Sequence, residues 1–283
     1  MKNISFISAV LLIIASLTLS SCKRESDLIQ SNPLSENNQS GFDEIYHQIT
    51  VLESENGFGE KDTRAGFWSK LGMIVGADAI GAILGSYAGP GMAVMLSVCS
   101  SISAGITCKV VGDDGFVSDT KSLIANDEIV AALGSIGLEH NQILQEFCRK
   151  DNPDFSQMSA EDKSEYIIRQ VYRIVQSDDQ LELPSIDICL ALSSQQTMLP
   201  YNSIDELALK CTLSNPELAN EIDIIKHCVQ TYSTLDNLSD VNTYSKGIST
   251  IINDASIPST SKKQIKSGAS VAAFSKIYWE ERL

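Results

Sequence analysis

Residues 71–107 read LGMIVGADAIGAILGSYAGPGMAVMLSVCSSISAGIT, with Asp78 the single charge in the stretch. Pro90 divides it into Leu71–Gly89, 19 residues, and Gly91–Thr107, 17 residues. As helices these would be roughly 28 Å and 25 Å long, close to the ~30 Å hydrocarbon thickness of a bilayer. The stretch therefore predicts a helical hairpin, either buried inside a helical protein or placed in lipid.

Its two sides differ. At 100° per residue Asp78, Gly81, Gly85 and Gly89 fall within about 80° of one another, while Met73, Ile80, Ile83, Leu84 and Tyr87 gather opposite. The glycine spacing, a glycine zipper, lets a second helix approach backbone to backbone and marks these four residues as a helix-packing or membrane face. In water each mid-helix glycine costs about 1 kcal/mol against alanine, so packing has to offset it. Against insertion stands Asp78, which as an unpaired charge at mid-bilayer would cost about 3 kcal/mol on insertion scales.

Downstream, Gly112-Asp113-Asp114-Gly115 marks a loop, and a helical pattern then runs to the C-terminus. Ile129, Leu133, Ile136, His140, Ile143 and Phe147 form one helical seam, Leu218, Ile222, Ile225, Val229 and Tyr232 a second, and Val241, Tyr244, Ile248, Ile251 and Ala255 a third. Ser159 before Asp162, the capping box Ser203-x-x-Glu206 and Asn215-Pro216 supply helix starts. Asn152-Pro153, Leu183-Pro184, Leu199-Pro200 and Ile257-Pro258 supply breaks. The expectation is an all-α protein, a glycine-rich helical hairpin plus a C-terminal multi-helix bundle of six or seven helices with antiparallel neighbours.

Upstream, Met1-Lys2-Asn3 is a short basic start, and Ile4–Leu19 is an uncharged apolar run too short for a comfortable bilayer span. This is the pattern of an export signal. It ends in Leu19-Ser20-Ser21-Cys22, which resembles the lipobox of bacterial lipoproteins. The resemblance implies cleavage between Ser21 and Cys22, lipidation of Cys22 and a membrane as partner through that cysteine. Each buried methylene of an acyl chain contributes about 0.8 kcal/mol, so several chains hold a protein firmly. In such lipoproteins an Asp after the cysteine favours inner-membrane retention; Lys23 stands there, implying the outer membrane. The expected organisation is a signal peptide over 1–21, a polar tether over 22–41, a short helical or irregular segment over 42–65, the hairpin over 66–111 and an acidic helical domain over 112–283.

The whole chain has 36 acidic and 21 basic residues, a net charge of -15. The first 21 residues hold one base and no acid, so the remainder is more acidic still. Nucleic acid is excluded as a partner, since phosphate binding needs clustered Lys and Arg. With 43% hydrophobic residues the chain is too apolar to be disordered throughout.

Three stretches carry a further resemblance. Gly76-Ala77-Asp78-Ala79-Ile80-Gly81-Ala82, Gly137-Leu138-Glu139-His140-Asn141-Gln142-Ile143-Leu144 and Ser270-Val271-Ala272-Ala273-Phe274-Ser275-Lys276-Ile277-Tyr278-Trp279 are similar to Bacteroidetes-type envelope lipoproteins with a glycine-rich segment and a helical body. That resemblance implies no activity. Where such proteins carry a His-Asn pair near the N-terminus, this chain has Tyr46-His47-Gln48.

Catalytic patterns are missing from the sequence. There is no Gly-x-Ser-x-Gly elbow, no His-Glu-x-x-His and no Gly-x-x-x-x-Gly-Lys, so neither catalytic residues nor a cofactor are assigned. His140 lies on an apolar seam and reads as a core histidine bonded through both nitrogens; His140 with Asn141 is the alternative binding candidate. His227-Cys228 beside Cys211 lacks the Cys-x-x-Cys partner of a metal site, and Asp113-Asp114-Gly115 lacks the alternating oxygens of a calcium loop, so no metal is assigned. Six cysteines follow Cys22, and Cys211 with Cys228 is the first candidate disulfide. Two functions fit: a non-enzymatic envelope lipoprotein whose helical body binds an unknown protein partner or has a structural role, or a membrane-active, bacteriocin-like or pore-forming protein that inserts its hairpin. The acidic charge favours the first.

Overall fold

Eleven α-helices and two 3₁₀ turns, and no strand, make up the described residues of the computed structural model, which are 33–58, 67–108, 123–149, 155–196 and 202–282. The fold is all-α. The lipobox-like stretch Leu19–Cys22, the loop expected at 112–115, Asn152-Pro153 and Leu199-Pro200 lie outside the described residues.

Helix α1 spans Pro33–Asn56, starting inside the stretch expected to be a polar tether. Pro33 is suited to a first helical turn, and Phe42, Ile45 and Ile49 recur at helical spacing and are buried. That apolar stripe, placed between polar residues, is why a segment of tether-like composition forms a helix. By contact density the chain divides at Glu36, and Asn37–Leu283 is one compact unit, so no boundary separates the hairpin from the helices after it.

The hairpin is α2, Phe67–Ser86, and α3, Pro90–Thr107. Between them Gly89 has φ 113°, a region side chains rarely enter, and Pro90 opens α3 at a position where its missing N–H costs nothing. The two helices cross at glycines. A Cβ on Gly85 would lie 2.2 Å from the carbonyl oxygen of Met92, and one on Gly81 would lie 2.9 Å from that of Leu96. Gly81 and Gly85 therefore pack α2 against its own hairpin partner, whereas Gly89 makes the turn. Met92, Met95, Val94, Val98 and Ile102 of α3 are fully buried, as are Leu71, Ile74, Val75, Ala79 and Ile83 of α2.

What covers the hairpin is the C-terminal helix, named α11 and spanning Ser259–Glu280, together with the helix over Ala219–Thr234, named α9. Residues 268–279 of α11 are buried without a break. A Cβ on Gly268 would reach Ile225 of α9 at 2.9 Å and Ile83 of α2 at 3.0 Å, so α11 runs through the middle of the body. Its buried Lys276 is neutralised by Glu280 one turn on.

Around this centre lie α4 (Asp127–Leu133), α5 (Ile136–Arg149), α6 (Ala160–Gln176), α7 (Ile186–Gln196), α8 (Ile204–Ser214) and α10 (Leu238–Asp254). Eight α-helices thus follow residue 112, against the six or seven expected. One reason is that the seam from Ile129 to Phe147 is two helices: Gly134 has φ 95° and breaks it between α4 and α5. Caps fall where the sequence placed them at Ser159, whose side chain accepts from the Asp162 N–H, and at Ser203, which accepts from that of Glu206. Asn215-Pro216 opens a 3₁₀ turn at Pro216–Leu218 rather than an α-helix.

The first candidate pair, Cys211 and Cys228, is not bridged. Cys99, Cys108, Cys148, Cys189, Cys211 and Cys228 are all buried thiols, none of them in a disulfide. Each is packed as a small hydrophobe, and burial pushes Cys211 up to about 11 and Cys228 up to about 12, so both remain thiols at neutral pH.

Candidate functional site

Asp78, in the middle of α2, is fully buried. A carboxyl group there needs donors, and two neighbouring helices supply them: Ser101 Oγ of α3 donates to Asp78 Oδ2 at 3.0 Å, and Ser275 Oγ of α11 donates to the same oxygen. Trp279 Nε1 donates to Ser101 Oγ at 3.1 Å and fixes that hydroxyl. From α5, His140 Nε2 stands 3.7 Å from Asp78 Oδ2, beyond hydrogen-bonding reach.

The tautomer of His140 follows from its neighbours. Asn141 Nδ2 donates to the Phe274 carbonyl at 2.8 Å, so its Oδ1 must accept, and the partner at 3.0 Å is His140 Nδ1. Nδ1 therefore carries the proton and Nε2 presents a lone pair toward Asp78. Two atoms of this junction have no hydrogen-bond partner, Asp78 Oδ1 and His140 Nε2. The expectation that His140 is bonded through both nitrogens is corrected to one, because the Nε2 lone pair needs a donor and the facing Asp78 Oδ2, which accepts from two serines, stands 3.7 Å away.

Burial pushes the Asp78 carboxyl well above the ordinary carboxylate range, against the opposing pull of Ser275, Ser101 and Trp279. Burial likewise lowers His140 to about 4, against the Asn141 bond. A neutral acid facing a neutral imidazole is the state this pocket favours, with one proton between the two groups. Ser101, Ser275 and His140 are as fully buried as Asp78, so no substrate reaches them. The junction can hold a proton and join four helices. Close backbone approach supports it: a Cβ on Gly137 would lie 2.2 Å from the Ser270 carbonyl oxygen, and Ser270 Oγ both accepts from Gly137 N–H and donates to the Gly134 carbonyl. The three stretches that carry the lipoprotein resemblance, around Asp78, His140 and Ser275, meet here in space.

A second polar cluster escaped sequence reasoning. Glu53 of α1 accepts from His227 Nε2 at 2.8 Å, from Tyr244 Oη at 2.8 Å and from Thr231 Oγ1. Burial raises its carboxyl, but the three hydrogen bonds outweigh it and hold Glu53 below the ordinary value. Glu53 lies one turn beyond Ile49 on the buried stripe of α1, which was the available signal. The ring of His227 packs on Tyr46 with centroids 4.7 Å apart. His47 is exposed and lines two surface grooves of about 520 and 480 Å³ that flank α1 against α9 and α10.

No group of three or more His, Cys, Asp or Glu side chains placed to hold a metal ion occurs among the described residues. Cys22 and Ser21 lie outside them. The geometry defines an all-α protein built round a buried apolar hairpin. In comparisons with family models, curated proteins and solved structures, no match is found.

Proposed function

We propose that this chain is a lipid-anchored protein of the bacterial cell envelope, of the Bacteroidetes type, held at the outer membrane through Cys22 and acting by binding a partner or by a structural role rather than by catalysis. The observation that carries the reading of the body is the enclosure of its reactive groups. Asp78 and His140 are sealed from solvent, and the Glu53 carboxylate is taken up by three internal donors. The anchoring half rests on Leu19-Ser20-Ser21-Cys22 after an apolar run. For a partner, the exposed side of α1 offers two acidic grooves, one lined by Asp43 and Asp223 and the other by Glu44 and Glu55.

Growing producing cells with labelled palmitate tests the anchor. The wild-type chain is expected to take up label and sediment with the outer membrane, and Cys22→Ala to do neither. Label entering the mutant would refute the proposal. Within α2 and α3 the 18-residue stretches Ser69–Ser86 and Pro90–Thr107 are long and apolar enough to cross a membrane, but 72% of each is buried within the body. Insertion would require α2 and α3 to leave α9 and α11.

A further inference from the structure

Helices α1 and α10 lie side by side and run antiparallel. A Cβ on Gly41 would lie 2.6 Å from the Ser256 carbonyl oxygen, just past the end of α10, and one on Gly247 would lie 2.5 Å from the Leu52 side chain near the end of α1. Between the two helices runs the groove of about 480 Å³. Its floor is apolar, formed by Leu52 and Ile251, and Val51 stands on its rim with 39% of its surface exposed. Its ends are acidic. Glu44 and Glu55 line it from α1, 11 residues apart and both exposed. As helix positions they are roughly 17 Å apart, and three turns bring them within about 20° of one another.

No base answers these two carboxylates. Helix α1 contains neither Lys nor Arg, and Glu44 accepts from the Gln48 amide, a neutral donor, at 2.6 Å. The one base of α9, Lys226, is shared by Asp223 and Asp205, and the one base of α10, Lys246, is taken by Glu128. Glu55 also stands against the field of its own helix, in the last turn, where the macrodipole favours a cation. An external cation would relieve that conflict, and the apolar floor between the two acids would hold what carries it. The groove on the other side of α1 lacks this imbalance, since its Asp223 is paired with Lys226 at 3.0 Å.

We propose that the groove between α1 and α10 docks an amphipathic helix of a partner protein, one that carries Lys or Arg at each end of an apolar face, at positions i and i+11. The inference rests on the reading of the body as partner-binding and names the surface and the chemistry of the partner. The spacing selects a helix. Laid along the groove, a helix repeats the distance from Glu44 to Glu55 in 11 residues with both cations on one face. Its residues at i+4 and i+7 fall on that same face and meet Val51, Leu52 and Ile251. An extended segment would cover the roughly 17 Å in about five residues, and that odd spacing would turn its two cations to opposite faces.

The probe is a phage-displayed library of helical peptides of about 16 residues, long enough for the three turns and randomised on one face, selected on the full-length protein in detergent. Selected peptides are expected to carry Lys or Arg at i and i+11 with apolar residues at i+4 and i+7. Their affinity should fall about tenfold or more for the double variant Glu44→Lys, Glu55→Lys. A second double variant, Asp179→Lys with Glu182→Lys at exposed positions between α6 and α7, changes the net charge equally and should bind as wild type does. A photo-reactive group on the peptide should mark α1 and α10 of the wild type, a readout that needs no variant to fold. An empty selection, peptides without the two bases, equal loss in both double variants, or cross-links elsewhere overturns the proposal. Self-association of the wild type at this groove, lost in Glu44→Lys with Glu55→Lys, also overturns it by giving the groove to a second copy of the chain. Peptides that mark another surface leave partner binding standing without this groove, whereas failed palmitate labelling removes only the anchor.

Discussion

Changing Gly85 to Ala adds one methyl group where two helix backbones touch. The new Cβ would lie 2.2 Å from Met92 O, 2.5 Å from Met92 C and 2.6 Å from Ala93 Cα. None of these atoms is the end of a flexible side chain, so α2 and α3 must separate by about an ångström. A gap of that size forfeits a quarter to a half of each dispersion contact along the seam. Overpacking typically costs 1–3 kcal/mol, and this contact, with backbone on both sides, belongs at or above the upper end. Alanine returns about 1 kcal/mol through helix propensity, leaving a net loss of about 2 kcal/mol or more. In a body of this size that is a fall in Tm of roughly 4–8 °C.

Gly72 on the same helix gives the opposite sign. Its Cβ would meet only the Ser233 side chain, Oγ at 3.4 Å and Cβ at 4.0 Å, ordinary contacts. Gly72→Ala should therefore match or exceed wild type, by up to about 1 kcal/mol. Thermal melts of the two purified variants, followed by circular dichroism, read the difference. Equal or raised stability in Gly85→Ala would refute the close crossing of α2 and α3.

Three further outcomes are expected. His140→Ala removes a fully buried ring and leaves the Asn141 oxygen unpaired, costing on the order of 2–4 kcal/mol, so a melt within a degree of wild type would contradict its structural role. Asp78 binds its proton more tightly folded than unfolded; its stabilising contribution is present below the ordinary carboxylate value and is lost as pH rises through the folded one. Denaturant midpoints of Asp78→Asn should therefore escape an alkaline decline that wild type shows, and identical profiles would count against a protonated Asp78. Glu53→Ala leaves His227, Thr231 and Tyr244 without their shared acceptor and should loosen α1 by on the order of 3 kcal/mol. Hydrogen exchange over residues 39–56 would then speed up while α11 stays protected; unchanged exchange in α1 would refute its anchoring by Glu53.

The helices were legible because their signals are local. The seam Leu218, Ile222, Ile225, Val229 and Tyr232 repeats at the helical period and is buried throughout, and Ser159 and Ser203 cap where their spacing said. Gly81 and Gly85 announced a close helix contact, but spacing does not name the partner, which proved to be the other arm of the hairpin. Gly134 broke a seam that its apolar neighbours continued, since backbone conformation overrides a side-chain pattern. The covering of the hairpin by α11 was not legible: Gly268, Ala269, Ser270, Ala272, Ala273 and Ser275 carry little hydrophobic contrast, and their smallness matters only once another backbone lies against them. Glu53 was missed because His227, Thr231 and Tyr244 lie 174 to 191 residues away in the chain. At the Asp78 junction His140 stood out as a polar residue on an apolar seam, whereas Ser101 and Ser275 resembled ordinary small residues until three helices met.

The central claim is that the apolar hairpin is core and not a membrane element, and Met92 and Met95 of α3 test it without a mutation. Both are fully buried, and the Cys189 thiol of α7 lies 3.5 Å from the Met92 sulfur. Cells producing the full chain are grown with photo-methionine, their envelopes are irradiated, and adducts at positions 92 and 95 are mapped. The account predicts cross-links from Met92 to α7 near Cys189, with protein neighbours rather than lipid at both positions; acyl-chain adducts at Met92 and Met95 would contradict it.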